Sequence, residues 1–208
     1  MSAAEFVPQS RSLTTLSRAA KRCEGCDLYR HATQTVFGEG PASARLILVG
    51  EQPGDSEDRE GHPFVGPAGK LLSTAMEEAE IDRCEVYVTN AVKHFKWEPR
   101  GTRRLHKKPS AREIAACRPW LDAEMEAVEP VGIVCLGATA AQALLGRDFR
   151  ITRNRGERIA FREDLWAIAT WHPSAILRAP EAVQRDQMRR EFVQDLALAR
   201  QELLASAE

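Results

Sequence analysis

The sequence predicts a three-layer α/β fold, with helices on both sides of a central parallel sheet of about four strands. Short aliphatic runs alternate along the chain with longer segments of helical periodicity, which is the pattern of repeated β–α units. The runs are continuously apolar, as expected for parallel strands that are buried on both faces. With 208 residues, 43% of them hydrophobic, the chain is expected to form one domain over residues 1–208.

Four segments are predicted to form the strands of this sheet. They are residues 44–50 (ARLILVG), 85–92 (EVYVTNAV), 131–137 (VGIVCLG) and 165–174 (LWAIATWHPS), the last of which runs into a turn. Each run continues into a polar or glycine-containing turn, in the motifs GEQPG, TNAVKH, LGATA and WHPS. Ligands bind beyond the carboxyl ends of the strands in such sheets, so a site is expected where these four motifs meet.

Helices are predicted between the strands. They cover or begin at residues 13–22, Pro67, Ser110, Gly137 and 181–205. Proline suits the first turn of a helix, and Ser110 with Glu113 three residues later forms a capping-box pattern. The acidic segment 56–60 is expected to be a solvated turn.

Charge is segregated along the chain rather than spread over it. The formal net charge is −1, yet residues 93–108 contain seven Lys or Arg and a single Glu. This excludes a general polycation and restricts any nucleic-acid surface to a local patch. No stretch approaches the ~20 apolar residues of a membrane span, and the N-terminus lacks the apolar core of a secretory signal. A cytoplasmic protein without membrane contact is expected, in which the cysteines are free thiols or metal ligands.

Five short motifs carry the chemistry: GEQPG, HPFVGPAGKLL, VTNAVKH, CRPWL and HPSAILR. Individually, Glu51, Asn90 and His172 in these motifs are more typical of structural roles. In this order and spacing, across residues 23–178, the motifs resemble the iron–sulfur uracil-DNA glycosylases, and most closely the subgroup called UdgX. The resemblance implies a uracil-DNA glycosylase-like fold and a monomer that excises uracil from DNA, with single-stranded DNA as the expected form. Such an enzyme must take its target base out of the stack to reach it.

The resemblance also implies the roles of the pocket residues. Phe64 would stack on uracil, and the amide of Asn90, which offers both a donor and an acceptor, would read the O4 and N3–H edge. His172 would support O2, where negative charge grows as the base leaves. Glu51 would stabilise the cationic sugar or act as a base. The further substrate-binding candidates are Gln52, Asp55 and Ser174.

The cysteines suggest a metal cluster. Cys23 and Cys26 form a CxxC pair, which alone is weak evidence because redox motifs share it, and Cys117 matches a further ligand of the family. The family's fourth ligand is a cysteine just after the second strand, and His94 stands there instead. Either His94 ligates iron, as histidines do in Rieske centres, or another residue is recruited, although Cys84 precedes the opposite end of that strand. We expect a 4Fe–4S cluster held by Cys23, Cys26, His94 and Cys117.

The segment RGTRRLHKKPS, residues 100–110, is predicted to be a basic loop. Its composition alone indicates a phosphate-binding loop in which His106 is a bystander. UdgX carries an inserted loop with basic residues followed by an aliphatic residue and a histidine, and this resemblance implies that His106 becomes covalently joined to the abasic sugar. Neighbouring cations should keep the imidazole neutral and therefore nucleophilic. The DNA-binding candidates are Arg103, Arg104, Lys107 and Lys108.

The sequence thus leads to one hypothesis and two alternatives. The hypothesis is a uracil-DNA glycosylase that remains attached to DNA through His106. The first alternative is an ordinary hydrolytic glycosylase that uses Glu51 and water. The second is a non-catalytic iron–sulfur DNA-binding module, since a fold does not fix a function.

Overall fold

The computed structural model describes residues 2–10 and 12–206 and contains a five-stranded sheet. The strands in the described residues are β1 (Leu46–Gly50), β2 (Val86–Asn90), β3 (Trp97–Arg100), β4 (Arg103–His106), β5 (Gly132–Leu136), β6 (Ile159–Arg162) and β7 (Leu165–Thr170). The sheet has the order β2-β1-β5-β7-β6, and β3 and β4 form a separate antiparallel hairpin. The four predicted strands are confirmed and pair in parallel. The fifth, β6, runs antiparallel to β7 at the edge.

Helices cover both faces of the sheet. They are α1 (Leu13–Ala20), α2 (Asp55–Glu60), α3 (Pro67–Glu78), α4 (Ala111–Val128), α5 (Ala138–Leu145), α6 (Ile151–Asn154), α7 (Pro173–Leu177) and α8 (Ala182–Ala205). Short 3₁₀ helices lie at Ala3–Glu5, Asp27–Arg30 and Arg83–Glu85. The predicted capping box is present, because Ser110 Oγ accepts from the backbone N–H of Glu113 at 3.3 Å and the Glu113 carboxylate accepts from that of Ser110 at 2.6 Å. No helix in the described part of the chain is both long enough and apolar enough to span a bilayer.

The strands bury alternate side chains on opposite faces, which gives the three layers. Leu48, Val134 and Ile168 point into one core, where side chains of α3 and α8 pack. Ile47 and Cys135 point into the other, which includes side chains of α4 and α5. Cys135 is therefore a buried apolar residue, as its place in an apolar strand suggested.

The prediction of a solvated turn over residues 56–60 is wrong. This segment lies in α2, and its two central acids are buried. Glu57 accepts hydrogen bonds from the backbone N–H groups of Gly54 and Gly66. Asp58 accepts from the backbone N–H of Thr33, at 3.0 and 3.1 Å. A buried carboxylate needs such partners, and no periodicity in the sequence reveals them.

Candidate active site

A cleft of about 530 Å³ opens at the carboxyl ends of β1, β2, β5 and β7. It brings together residues that the sequence places far apart. Glu51, Phe64, Asn90, His106 and His172 all line it. The remaining predicted residues on its wall are Gln52, Asp55, Lys108 and Ser174.

Phe64 and Asn90 approach each other across Gly50, the last residue of β1. A Cβ atom at position 50 would lie 2.3 Å from Asn90 Oδ1 and 2.9 Å from Phe64 Cζ, so both side chains need a glycine there. Phe64 has a φ of 57°, which is rare for a bulky residue. Gly69 of α3 makes this possible, since a Cβ there would come 1.7 Å from the Phe64 carbonyl oxygen. The local backbone thus fixes an aromatic ring and an amide on one wall of the cleft.

His172 precedes α7 and is held as a neutral hydrogen-bond donor. Its Nδ1 accepts from the backbone N–H of Ser174 at 3.1 Å, and the Ser174 hydroxyl lies 2.7 Å from the same nitrogen. Because Nδ1 is the acceptor, the proton of the neutral ring is on Nε2. Burial lowers the pKa of His172 to about 4, and the charges of Arg178 and His106 act in the same direction. Ser174, predicted to bind substrate, has an observed contact that orients this imidazole.

Glu51 is fixed by a residue that the sequence analysis missed. Its Oε2 accepts a short hydrogen bond from the hydroxyl of Thr139, near the start of α5. Its Oε1 lies 3.4 Å from His106 Nε2. Thr139 belongs to the strand-end motif LGATA, so its position was predicted to face the site but its role was not.

The segment predicted as a basic loop is a β-hairpin, and His106 is the last residue of its second strand. In the hairpin register, His106 pairs with Trp97. Gln52 binds the backbone of the two residues that flank the hairpin, Lys96 and Lys107. Its Nε2 donates to the carbonyls of Lys96 and Lys107, at 3.2 and 3.0 Å, while its Oε1 accepts from the backbone N–H of Lys96 at 3.0 Å. The role of Gln52 in the structure is therefore to dock the hairpin.

Arg104 was predicted to contact phosphate, and the structure gives it other partners. Its guanidinium donates to Asp55 and to the fully buried Asp58, the latter at 2.6 Å. It also lies over the rings of Phe95 and Trp97, 5.4 and 5.5 Å from their centroids. The side chain is only 13% exposed. Arg104 thus anchors the hairpin to α2, and Asp55, predicted to bind substrate, is one of its two carboxylate partners.

Much of the predicted basic patch forms ion pairs with carboxylates of the same chain. Lys93 is buried against Glu124, and Lys96 pairs with Glu113 at 2.8 Å. Lys107, a predicted phosphate contact, pairs with Glu98. The candidates with no ion pair among the described residues are Arg103, which is exposed, and Lys108, at the cleft.

His106 reaches the mouth of the cleft with its imidazole 43% exposed. Its Nε2 lies 2.9 Å from Gln52 Nε2 and 3.4 Å from Glu51 Oε1, and because the two protons of the Gln52 amide also face the carbonyls of Lys96 and Lys107, these contacts do not fix the tautomer of the ring. Partial burial lowers the pKa of His106, Glu51 opposes this shift, and Arg178 adds to it. The cations of the same loop were predicted to keep the imidazole neutral. This cause is wrong, because burial and Arg178 lower the pKa instead.

Three thiols gather in a buried cluster that contains Trp120. Cys23 and Cys117 are buried in one cluster with Trp120, and Cys26 packs against it. Burial raises the pKa of Cys117 to about 12, Lys93 lowers it, and the charges of Cys26 and Cys23 raise it further. Burial likewise raises the pKa of Cys26, with Cys23 contributing. These thiols are close enough to act on one another, whereas Cys84 is exposed elsewhere.

His94, in the position of the expected fourth ligand, is 5% exposed, and burial lowers its pKa to about 4. Its Nε2 lies 2.9 Å from the hydroxyl of Thr35. That hydroxyl donates its single proton to the carbonyl of Ala20, so it accepts from His94 Nε2–H. The lone pair of the ring is consequently on Nδ1, and a partner that fixes the tautomer in this way is typical of metal-ligating histidines.

Two further observations bear on a metal group. Within residues 2–10 and 12–206, no three His, Cys, Asp or Glu side chains converge as ligands of one metal ion. An iron–sulfur cluster takes one ligand for each iron, so its ligands need not converge in that way. The indole N–H of Trp120, in the thiol cluster, is buried without a hydrogen-bond partner in the described residues. Such a donor fits a site beside sulfur, and the residues present therefore fit a cluster with three sulfur ligands and one nitrogen ligand.

The fold and the cleft together define an α/β protein whose site lies at the carboxyl ends of parallel strands and combines an aromatic ring, an amide, a carboxylate and two neutral imidazoles. The family model described as the uracil DNA glycosylase superfamily matches residues 37–197, and the chain belongs to that superfamily.

Several relatives have names that specify the type of enzyme. The type-4 uracil-DNA glycosylase of Thermotoga maritima is 38% identical, over 89% of this chain and 91% of its own length. The type-4 uracil-DNA glycosylase of Archaeoglobus fulgidus is 36% identical, over 88% of this chain and 89% of its own. A type-5 uracil-DNA glycosylase of Pyrobaculum aerophilum is 33% identical over 51% of this chain and 50% of its own length.

Proposed function

We propose that the protein excises uracil from DNA and then captures the abasic sugar covalently on His106. The observation that carries this proposal is the position of His106, whose Nε2 lies 3.4 Å from the Glu51 carboxylate and within the same cleft as Asn90. The imidazole has a lowered pKa, so it is neutral and nucleophilic near pH 7. Superfamily membership supports the substrate class.

In the excision step, the flipped uracil stacks on Phe64 while the Asn90 amide pairs with its O4 and N3–H edge. The glycosidic C1′–N1 bond breaks, and its electron pair leaves with the base. His172 donates from Nε2 to uracil O2, where this charge develops. Glu51, held by Thr139, faces the oxocarbenium-like sugar and stabilises it.

In the capture step, the Nε2 lone pair of His106 forms a bond to C1′. In the free protein this nitrogen lies beside the Gln52 amide and the Glu51 carboxylate, so the ring must leave these contacts first. The imidazolium that forms loses its Nδ1 proton to solvent, and the uracil anion takes one up. Atoms and charge therefore balance without a further reactant.

A hydrolytic glycosylase is the second candidate. The close contacts of His106 Nε2 with Gln52 and Glu51 favour it, and so do the names of the relatives, which are type-4 uracil-DNA glycosylases. In that reaction Glu51 orients a water molecule that attacks C1′, and His106 has no covalent role.

The proposed cofactor is a 4Fe–4S cluster held by Cys23, Cys26, Cys117 and Nδ1 of His94. The cluster would join the segments that carry these residues and contribute folding free energy. Purified protein should then contain iron and sulfide, and Cys117→Ala should lose both together with folded yield. Iron-free protein with full activity would remove the cofactor from the proposal.

Arg103 and Lys108 are the proposed phosphate contacts, because both are free of carboxylate partners in the described chain. Single-stranded DNA is the proposed preferred form, since flipping a base from it costs no unpairing. A monomer is the proposed active form.

The decisive experiment follows both products of the reaction. The protein is incubated with a uracil-containing oligonucleotide, and free uracil and heat-stable protein–DNA adduct are measured in the same sample. His106→Ser should release uracil without forming adduct, because water enters the vacated space, whereas Glu51→Gln should lose both products. His31→Ser, an exposed histidine outside the cleft, is the matched control. Full adduct from His106→Ser would show that another group is the nucleophile, and no adduct from the unaltered protein would leave the hydrolytic candidate.

A further inference from the structure

A buried ammonium group lies directly behind Asn90. The side chain of Lys93 is 1% exposed, which is unusual for a lysine. Its Nζ donates to three oxygens: Thr89 Oγ1 at 2.6 Å, the Asn90 carbonyl at 2.7 Å and Glu124 Oε2 at 2.5 Å. All three donor positions of the ammonium are therefore used.

Glu124 of α4 is the carboxylate to which the other groups of this network bond. It is fully buried, and it accepts hydrogen bonds from the backbone N–H of Gly38 at 2.9 Å and the hydroxyl of Tyr87 at 3.1 Å. The Thr89 hydroxyl is bonded to it as well. A buried ion pair is often no more stabilising than apolar side chains of the same size. Stability alone therefore does not account for a lysine at this position.

The hydrogen bond to the Asn90 carbonyl indicates a function for the Lys93 ammonium group. The β1–β2 pairing ends at Asn90, opposite Gly50, and the next backbone N–H groups, of Ala91 and Val92, bond back to Gly50 and Glu51. The Asn90 carbonyl accepts instead from Lys93. The hydrogen bond from Lys93 fixes the plane of the peptide group after Asn90. It therefore also fixes the direction in which the Asn90 side chain leaves the backbone.

The same residue reaches the thiol cluster through its backbone. The N–H of Lys93 donates to Cys117 Sγ at 3.3 Å. The segment from Asn90 to Lys93 is consequently held at one end beside the cleft and at the other beside a sulfur.

We infer that Lys93, held by Glu124, is a positioning residue that aims the Asn90 amide at the uracil edge and ties it to the thiol cluster. The inference rests on the proposed function, because it assumes that Asn90 reads the base. Lys93 itself contacts no substrate. Its effect should therefore appear in the rate of uracil release at saturating protein and not in the affinity for DNA.

The test is a double-mutant cycle between the ion pair and Asn90. Lys93→Met alone would leave the Glu124 carboxylate buried and unpaired, so the pair is neutralised together as Lys93→Met/Glu124→Gln. This variant, Asn90→Ala, their combination and the unaltered protein are each placed in excess over a uracil-containing single-stranded oligonucleotide. The rate of uracil release at saturation and the Kd are measured separately. Tyr87→Phe is the matched control, since it removes one hydrogen bond of Glu124 but leaves the ammonium on the Asn90 carbonyl.

The neutralised pair should slow uracil release by roughly 10²-fold, as misplacement of a substrate-positioning group does, with Kd changed less than about twofold. The combined variant should be no slower than Asn90→Ala alone, because the ion pair acts through Asn90 and the two losses are therefore not additive. Tyr87→Phe should release uracil at the unaltered rate. If the rate losses of the neutralised pair and of Asn90→Ala multiply in the combined variant, the inference is overturned while the proposed function stays intact. A loss that appears only in Kd would overturn it in the same way. An Asn90→Ala variant that releases uracil normally would instead show that the proposed uracil site is wrong.

A second variant protects the test against a failure to fold. Thr89→Val removes one of the three oxygens around the ammonium and adds no charge. Its loss of rate should be smaller than that of the neutralised pair and again non-additive with Asn90→Ala. An additive loss would overturn the inference in the same way.

Discussion

Replacing Arg104 with methionine tests whether docking of the hairpin delivers His106. Methionine keeps most of the apolar contact with the rings on which Arg104 lies, but it removes the hydrogen bonds to Asp55 and Asp58. We expect Arg104→Met to form adduct slowly while releasing uracil at nearly the unaltered rate. The reason is that the residues proposed to excise the base lie outside the hairpin.

The magnitude follows from the two carboxylates. The side chain of Asp55 is 44% exposed, so its ion pair contributes less than about 1 kcal/mol. Asp58 is fully buried, and a buried charge that loses its partner costs about 3–5 kcal/mol. Asp58 keeps the N–H of Thr33, so we take about 3 kcal/mol. If that cost is relieved by undocking, the ratio of docked to undocked hairpin falls by roughly 10²-fold.

The assay measures adduct and free uracil from one reaction at saturating DNA, together with amide hydrogen exchange in the hairpin. The backbone N–H of Lys107 is a suitable reporter, because it bonds to the carbonyl of Lys96 at 2.9 Å. Arg103→Met, at the exposed neighbouring position, is the control and should capture the sugar normally once DNA is saturating. An Arg104→Met variant that forms adduct at the unaltered rate would refute the docking argument.

Three further predictions concern recognition, pH and salt. Asn90→Asp should slow single-turnover uracil release, because a carboxylate cannot donate to O4 and a buried polar mismatch costs on the order of 1–3 kcal/mol; normal release would exclude Asn90 as the recognition residue. The pKa of His106 is lowered, so adduct formation should be complete at neutral pH and disappear only at a midpoint below the ordinary histidine value of about 6.5; a midpoint at or above it would contradict the neutral-nucleophile argument. Arg103→Gln and Lys108→Gln should each reduce the slope of log Kd against log salt by roughly 0.7–0.9. Lys107→Gln should reduce the slope less, because Lys107 already pairs with Glu98. Equal effects at all three positions would show that this ion pair does not matter for DNA binding.

The sequence predicted the strands whose burial is complete and missed those whose burial is partial. β1, β2 and β5 are buried at every position, so they appear in the sequence as continuous apolar runs. The edge strand β6 alternates between half-buried and exposed residues over four positions. The hairpin strand β3 contains Pro99 and is largely exposed, and proline within a run argues against a strand. Edge and hairpin strands lack the signal that buried parallel strands carry.

The candidate site was predictable where a residue follows a strand directly and was not where a role depends on a distant partner. Glu51 and Asn90 follow strands directly, so the topology placed them at the expected edge of the sheet, and the family resemblance supplied their roles. Lys93 was counted with the surface cations, because nothing local indicates that Glu124, 31 positions later, receives its ammonium inside the core. Arg104 was assigned to phosphate for the same reason, since its partner Asp58 lies 46 positions away. Charged residues in a basic run cannot be divided into internal and external ones without the tertiary contacts.

The two histidines of the cleft have different surroundings, which suit them to different parts of the substrate. Burial lowers the pKa of both, so both are neutral at pH 7. The N–H of Ser174 occupies Nδ1 of His172, which forces its proton onto Nε2 and makes that nitrogen a donor. Nε2 of His106 instead lies 2.9 Å from the Gln52 amide and 3.4 Å from the Glu51 carboxylate, and it can bond to the sugar only in the tautomer that carries its proton on Nδ1. A donor suits the departing base, whose charge is negative, and a lone pair suits the sugar, whose charge is positive.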